Sequence, residues 1–126
     1  PGLVERYAAP KLRPPFNVSV LNAEAGLFAL EHAKVYAQQA AAIRRDRDAL
    51  FEQLKALSGV KPYPSQANMI LARVRDAVAT FTRMRERGVL IKNVSALHPL
   101  LDNCLRITVG TPEENSLMIQ ALKASV

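Results

Sequence analysis

One cysteine, no tryptophan and five scattered glycines leave this 126-residue chain short of the residues that mark many functional classes. A single thiol, Cys104, cannot close an internal disulfide, so a disulfide framework is excluded and a reducing compartment such as the cytoplasm is expected. Nothing beside Cys104 activates a thiolate, and it reads as a small, partly buried apolar residue. Gly2, Gly26, Gly59, Gly88 and Gly110 form neither a P-loop nor a dinucleotide fingerprint, which leaves nucleotide binding unsupported. No apolar stretch approaches the roughly 20 residues of a membrane span, and no charged leader followed by an apolar run opens the sequence. His32 and His98 lack metal-ligand spacing with cysteine or carboxylates and have no nucleophile to serve, so both are expected to be structural.

What is present is apolar enough to fold. Hydrophobic residues make up 49% of a chain about one domain long, sufficient for a real core. The net charge of +6 raises the question of nucleic acid, because clustered Lys and Arg release counterions from phosphates. The distribution argues against it: Arg44, Arg45 and Arg47 are interleaved with Asp46 and Asp48, and Arg83, Arg85 and Arg87 flank Glu86, the pattern of solvated helix faces.

Along the chain, residues 2–13 are compatible with a short helix that ends at Pro14-Pro15. Ser19 is a candidate cap for a helix through His32. After a break near Ala33, an alanine-rich helix runs to about Leu57 with Ile43, Leu50, Leu54 and Leu57 as its buried stripe. A short edge strand is expected over Val60 to Tyr63, bounded by Pro62 and Pro64, and a stronger one over Ala67 to Val74. Asp76 caps a helix to Arg87, Gly88 stops it, and Val89 to Asn93 returns as a strand, so the helix lies between two strands that could pair. Ser95 to Asn103 reads as a loop, followed by a strand over Cys104 to Val109 and a last helix from Pro112 to about Ala124.

The most informative stretch is that last strand and its exit. Leu105, Ile107 and Val109 alternate with Arg106 and Thr108, which places the arginine on the face opposite three apolar residues. That face meets water, a partner or an anion. Thr111, Pro112 and Glu114 then spell an N-cap, a first helical proline and the residue that closes a capping box. From pattern alone, Arg106 could equally be an exposed strand residue paired with a glutamate.

The run from Leu105 to Asn115, Leu-Arg-Ile-Thr-Val-Gly-Thr-Pro-Glu-Glu-Asn, resembles the C-terminal segment of histidinol-phosphate aminotransferases, members of the class I/II enzymes that use pyridoxal phosphate. Leu12 to Ser19, Ala67 to Leu71 and Gly88 to Asn93 also resemble family segments, in the same order. The resemblance implies that Arg106 holds the α-carboxylate of glutamate or 2-oxoglutarate, or the phosphate of histidinol phosphate. A planar guanidinium suits that role because it can donate two parallel hydrogen bonds. It implies a second cation, often arginine, where this chain has Lys92, which keeps the charge but not the bidentate fork; Lys92 can equally be just the last exposed residue of its strand. Asn17 and Asn68 sit in family-like segments as weaker candidates beside their ordinary role in turns.

The resemblance also sharpens an absence. In the family the lysine that bonds to pyridoxal phosphate follows a serine, whereas Lys11, Lys34, Lys55, Lys61, Lys92 and Lys123 follow Pro, Ala, Leu, Val, Ile and Leu. The chain is therefore expected to be the C-terminal small domain (19–126) with a connecting segment (1–18), inactive and without cofactor alone, from an enzyme roughly two to three times as long. Its first residue, Pro1 rather than Met, agrees with that expectation. The fold expected is α/β in the two-layer α+β sense: a small, mainly antiparallel or mixed sheet covered by helices. The parent enzyme is expected to be a cytoplasmic homodimer that uses glutamate, 2-oxoglutarate and histidinol phosphate in histidine biosynthesis, with neither nucleic acid nor membrane as partner. Another class I/II aminotransferase, a phosphothreonine decarboxylase and a non-catalytic α/β ligand-binding or regulatory module are the alternatives.

Overall fold

A computed structural model describes residues 18–126. Their elements are helix α1 (Val20–Glu31), helix α2 (Ala33–Lys55), strand β1 (Lys61–Pro62), strand β2 (Met69–Arg73), helix α3 (Ala77–Glu86), strand β3 (Lys92–Asn93), two 3₁₀ turns (Ser95–Leu97 and Pro99–Leu101), strand β4 (Cys104–Thr108) and helix α4 (Pro112–Lys123). Asn17, the Pro14-Pro15 connection and the helix expected over 2–13 lie outside the described residues.

Contacts divide the chain between Ala37 and Gln38, inside α2. In the first unit, Ser19 caps α1 by accepting from the Asn22 amide at 3.2 Å, as its position before the helix predicts. The expected break falls at His32, whose ring stacks on Phe28 and whose Nδ1 donates to the Phe28 carbonyl at 2.8 Å. The helix buries none of its residues, and Leu21 and Leu30 are among the large apolar side chains it exposes.

The second unit is built around one sheet with strand order β1-β2-β4-β3, every neighbouring pair antiparallel. Period-two alternation sends Ile70 and Ala72 of β2, and Leu105 and Ile107 of β4, to one face. There they pack against Leu50 and Leu54 of α2, Met84 of α3, and Met118 and Leu122 of α4. Fully burying a Leu or Ile stabilises by about 1.5–3 kcal/mol, so this layer anchors the fold. The expected two-layer arrangement holds, and the choice between a mixed and an antiparallel sheet resolves to antiparallel.

Several local expectations shift. Ile43 is exposed, so the buried stripe of α2 begins at Leu50. β2 and β3, the strands flanking α3, do not pair, because β4 lies between them. β4 supplies a five-residue register to β2, which β3 is too short to offer. β3 starts at Lys92 rather than Val89, and the end of α3 claims the Val89 amide. Gly88 takes φ 77°, its amide bonds to the Arg85 carbonyl, and the Val89 amide bonds to the Met84 carbonyl, a Schellman closure. The loop over 95–103 contains two 3₁₀ turns, with His98 capping the second by accepting the Leu100 amide on Nδ1 at 3.1 Å.

Candidate functional site

Arg106 sits in the middle of β4, the central strand that β2 and β3 both hydrogen-bond. Its start is fixed by Asn103, which adopts φ 56°, a conformation asparagine tolerates better than most residues. The Asn103 carbonyl accepts the Val74 amide at 2.9 Å and its Oδ1 accepts the Ala77 amide at 3.2 Å, joining the starts of β4 and α3. Its exit is fixed equally firmly. Asn115 brackets Gly110, accepting its amide at 3.0 Å and donating to its carbonyl at 3.1 Å. Thr111 and Glu114 complete the predicted capping box at 3.3 and 2.8 Å.

With Leu105 and Ile107 turned into the core, Arg106 and Thr108 are exposed on the other face of the sheet. Arg106 lies directly opposite Leu71 of β2 and Lys92 of β3. Residues opposite each other in an antiparallel ladder share a face, so the structure brings together the two cations singled out from the sequence. Like charges in that relation destabilise a sheet unless something negative lies between them. Among the described residues no acid does so: the ion pairs are Arg47 with Asp48 at 2.9 Å and Lys55 with Glu52 at 3.6 Å, both within α2. The alternative of Arg106 as one half of a surface ion pair thus has no acidic partner among the described residues.

A second row of the same face holds Lys61 opposite Arg73, and Arg73 opposite Cys104. Arg73 donates from Nη2 to the Leu100 carbonyl at 2.7 Å, and its guanidinium lies 6.0 Å from the centre of the Tyr63 ring. The Cys104 side chain first, then Tyr63, raises the Arg73 pKa above its ordinary value. Arg73 was not among the residues singled out. The signal available was its parity with Met69 and Leu71, which places it on the face that carries Arg106.

The other candidates take part in hydrogen bonds with backbone groups. The Asn68 carbonyl accepts the Val109 amide at 2.9 Å where β2 begins, and its side chain is exposed. His32 and His98 satisfy backbone groups of their own turns. Cys104 is fully buried rather than partly so, and its thiol donates to the Asp102 carbonyl at 3.5 Å. A cleft of about 400 Å³ lies between the Gly88–Ile91 segment and α4, lined by Ile91, Leu117 and Met118, and includes neither Arg106 nor Lys92. Arg106 and Lys92 are themselves exposed.

The described residues do not fit a pyridoxal phosphate site. The open face offers no carboxylate among its paired strand residues to meet a pyridine nitrogen. The amides at the starts of α3 and α4, where a cofactor phosphate could bind, are taken by Asp76 and by Thr111 with Glu114. What the face can do is bind and orient small anions.

No family model matches the chain. It is 63% identical over 113 residues to a histidinol-phosphate aminotransferase of Methylibium petroleiphilum, an alignment covering 90% of this chain and 30% of the relative. It is 57% identical over 116 residues to one of Polaromonas naphthalenivorans, covering 92% and 32%. The solved L-threonine-O-3-phosphate decarboxylase of Porphyromonas gingivalis matches with a TM-score of 0.72 at 29% identity, over 85% of this chain and 34% of that one. The chain thus spans about a third of the length of the curated relatives it matches.

Proposed function

Because this chain belongs to the histidinol-phosphate aminotransferase family, we propose that residues 19–126 form the small domain of such an enzyme, with 1–18 joining it to a large domain. In that enzyme, a cytoplasmic homodimer serving histidine biosynthesis, histidinol phosphate and 2-oxoglutarate become imidazole acetol phosphate and glutamate. Pyridoxal phosphate, bound by the rest of that enzyme, would supply the chemistry of amino-group transfer.

The observation that carries the reading is the register of Arg106 against Lys92 on an exposed face. A phosphate monoester holds about 1.5 to 2 negative charges at pH 7, matching two adjacent cations. An α-carboxylate holds one charge and has the planar shape that a single guanidinium fork accepts. Arg106 can thus serve both substrates in turn, while Lys92 adds charge for the phosphate alone. Histidinol phosphate and threonine-O-3-phosphate, the compounds in the relatives' names, are both phosphate monoesters. Covering the face orients the bound anion and excludes water, which strengthens both contacts.

Assay of the full-length protein with histidinol phosphate and 2-oxoglutarate tests the reading. Arg106→Ala removes two charge-assisted bonds and is expected to lower kcat/KM by about 100-fold or more. Unchanged activity in that variant would reject the anchoring role. The match to the Porphyromonas gingivalis protein favours a second reading, decarboxylation of a phosphorylated amino acid, and carbon dioxide release from threonine-O-3-phosphate distinguishes it.

A further inference from the structure

Arg73 is an exposed arginine with no acid within ion-pair distance among the described residues, yet its side chain is held in place. Its Nη2 reaches the carbonyl of Leu100, 27 positions away, at 2.7 Å, while the Tyr63 ring backs its guanidinium. We infer that Arg73 is a positioning residue that sets the place of Lys92, and thereby tunes the site toward phosphate over carboxylate. The inference rests on the proposed role of the Lys92–Arg106 pair.

Leu100 lies in the segment that leaves β3 after Asn93 and enters β4 at Cys104. Other bonds inside that segment are local: Asn93 Oδ1 accepts the Ser95 amide, His98 Nδ1 accepts the Leu100 amide, and the His98 carbonyl accepts the Leu101 amide. Its ends are joined to the sheet through Val94 to Cys104 and through Asn103 to Val74. Among the described residues, the Arg73 bond ties the middle of this segment to a distant strand. That bond matters unequally for the two cations. β4 is paired with β2 over five residues, with Arg106 at the centre of that register. β3 is two residues long and bonded on one side only. If the segment loosens, Lys92 moves and Arg106 stays. A ligand that uses both cations then loses affinity, and one that uses Arg106 alone does not.

In the full-length enzyme, Arg73→Gln is expected to raise KM for histidinol phosphate about five- to tenfold, while KM for 2-oxoglutarate and kcat stay within about twofold. In a Lys92→Gln background the same substitution should add almost nothing, because the residue through which it acts is gone. Arg73→Lys, which can still donate to the Leu100 carbonyl, should recover part of the loss. An equal rise in KM for both substrates, no rise in either, or full additivity with Lys92→Gln would each overturn the inference. Its failure is separable from that of the proposed function. If Arg106→Ala cripples turnover while Arg73→Gln is silent, only the positioning role falls. If Arg106→Ala is silent, the anchoring role falls first.

Discussion

The junction between β4 and α4 should respond to one methyl group in a way that depends on a residue four positions away. Gly110 does not need positive φ, so alanine is compatible with its backbone, but an added Cβ would lie 2.5 Å from Glu114 Oε2 and 3.0 Å from Glu114 Cβ. The flexible carboxylate must swing away, and in doing so it releases the Thr111 amide that it accepts at 2.8 Å. Losing that exposed bond costs about 1 kcal/mol, and the crowded Cβ contact adds about 1 kcal/mol more. Against this, Gly→Ala stabilises by roughly 0.4–1 kcal/mol through the unfolded chain. Gly110→Ala should therefore destabilise by about 1 kcal/mol in the native sequence. In a Glu114→Ala background the bond is already absent and the carboxylate is gone, but the contact with the Cβ of residue 114 remains, so the same change should cost no more than about 0.5 kcal/mol. Urea denaturation of the four variants in the cycle gives both differences with one assay. A loss of the same size and sign in both backgrounds would refute the capping-box account of this turn.

Other substitutions probe the rest of the framework. Leu122→Ala empties a fully buried position in the layer that α4 lays on the sheet, and should cost about 2–5 kcal/mol in chemical denaturation. Asp76→Ala removes the acceptor of the Val78 and Ala79 amides at 3.0 and 2.9 Å, and should cost about 1 kcal/mol, with Asp76→Ser recovering most of it.

What the sequence disclosed best is what depends on near neighbours. Ser19, Asp76 and Thr111 act as caps because the donors they satisfy are two or three residues away, so the motif and the structure are nearly the same statement. The face of Arg106 was legible for the same reason, since period two is local to a strand. The partner of Arg106 was not. Its pairing with Lys92 depends on β4 inserting between β2 and β3, a choice made by long-range packing that no window of sequence contains. Cys104 shows the same limit. Its parity puts it on the open face with Arg106, yet it is fully buried where the 3₁₀ segment enters β4. Arg73 escaped notice because its meaning comes from the Leu100 carbonyl, whose position depends on a segment that looked like plain loop. The expected strand loses its first residue, Val89, to the end of α3, where the Schellman closure takes its amide.

The most direct measurement of the central claim is a crystal structure of the full-length enzyme with histidinol phosphate bound. It should place the phosphate on the open sheet face, with two nitrogens of Arg106 and the Lys92 ammonium within hydrogen-bond distance of its oxygens. A phosphate held elsewhere, with Arg106 paired to a carboxylate of the surrounding protein, would contradict it.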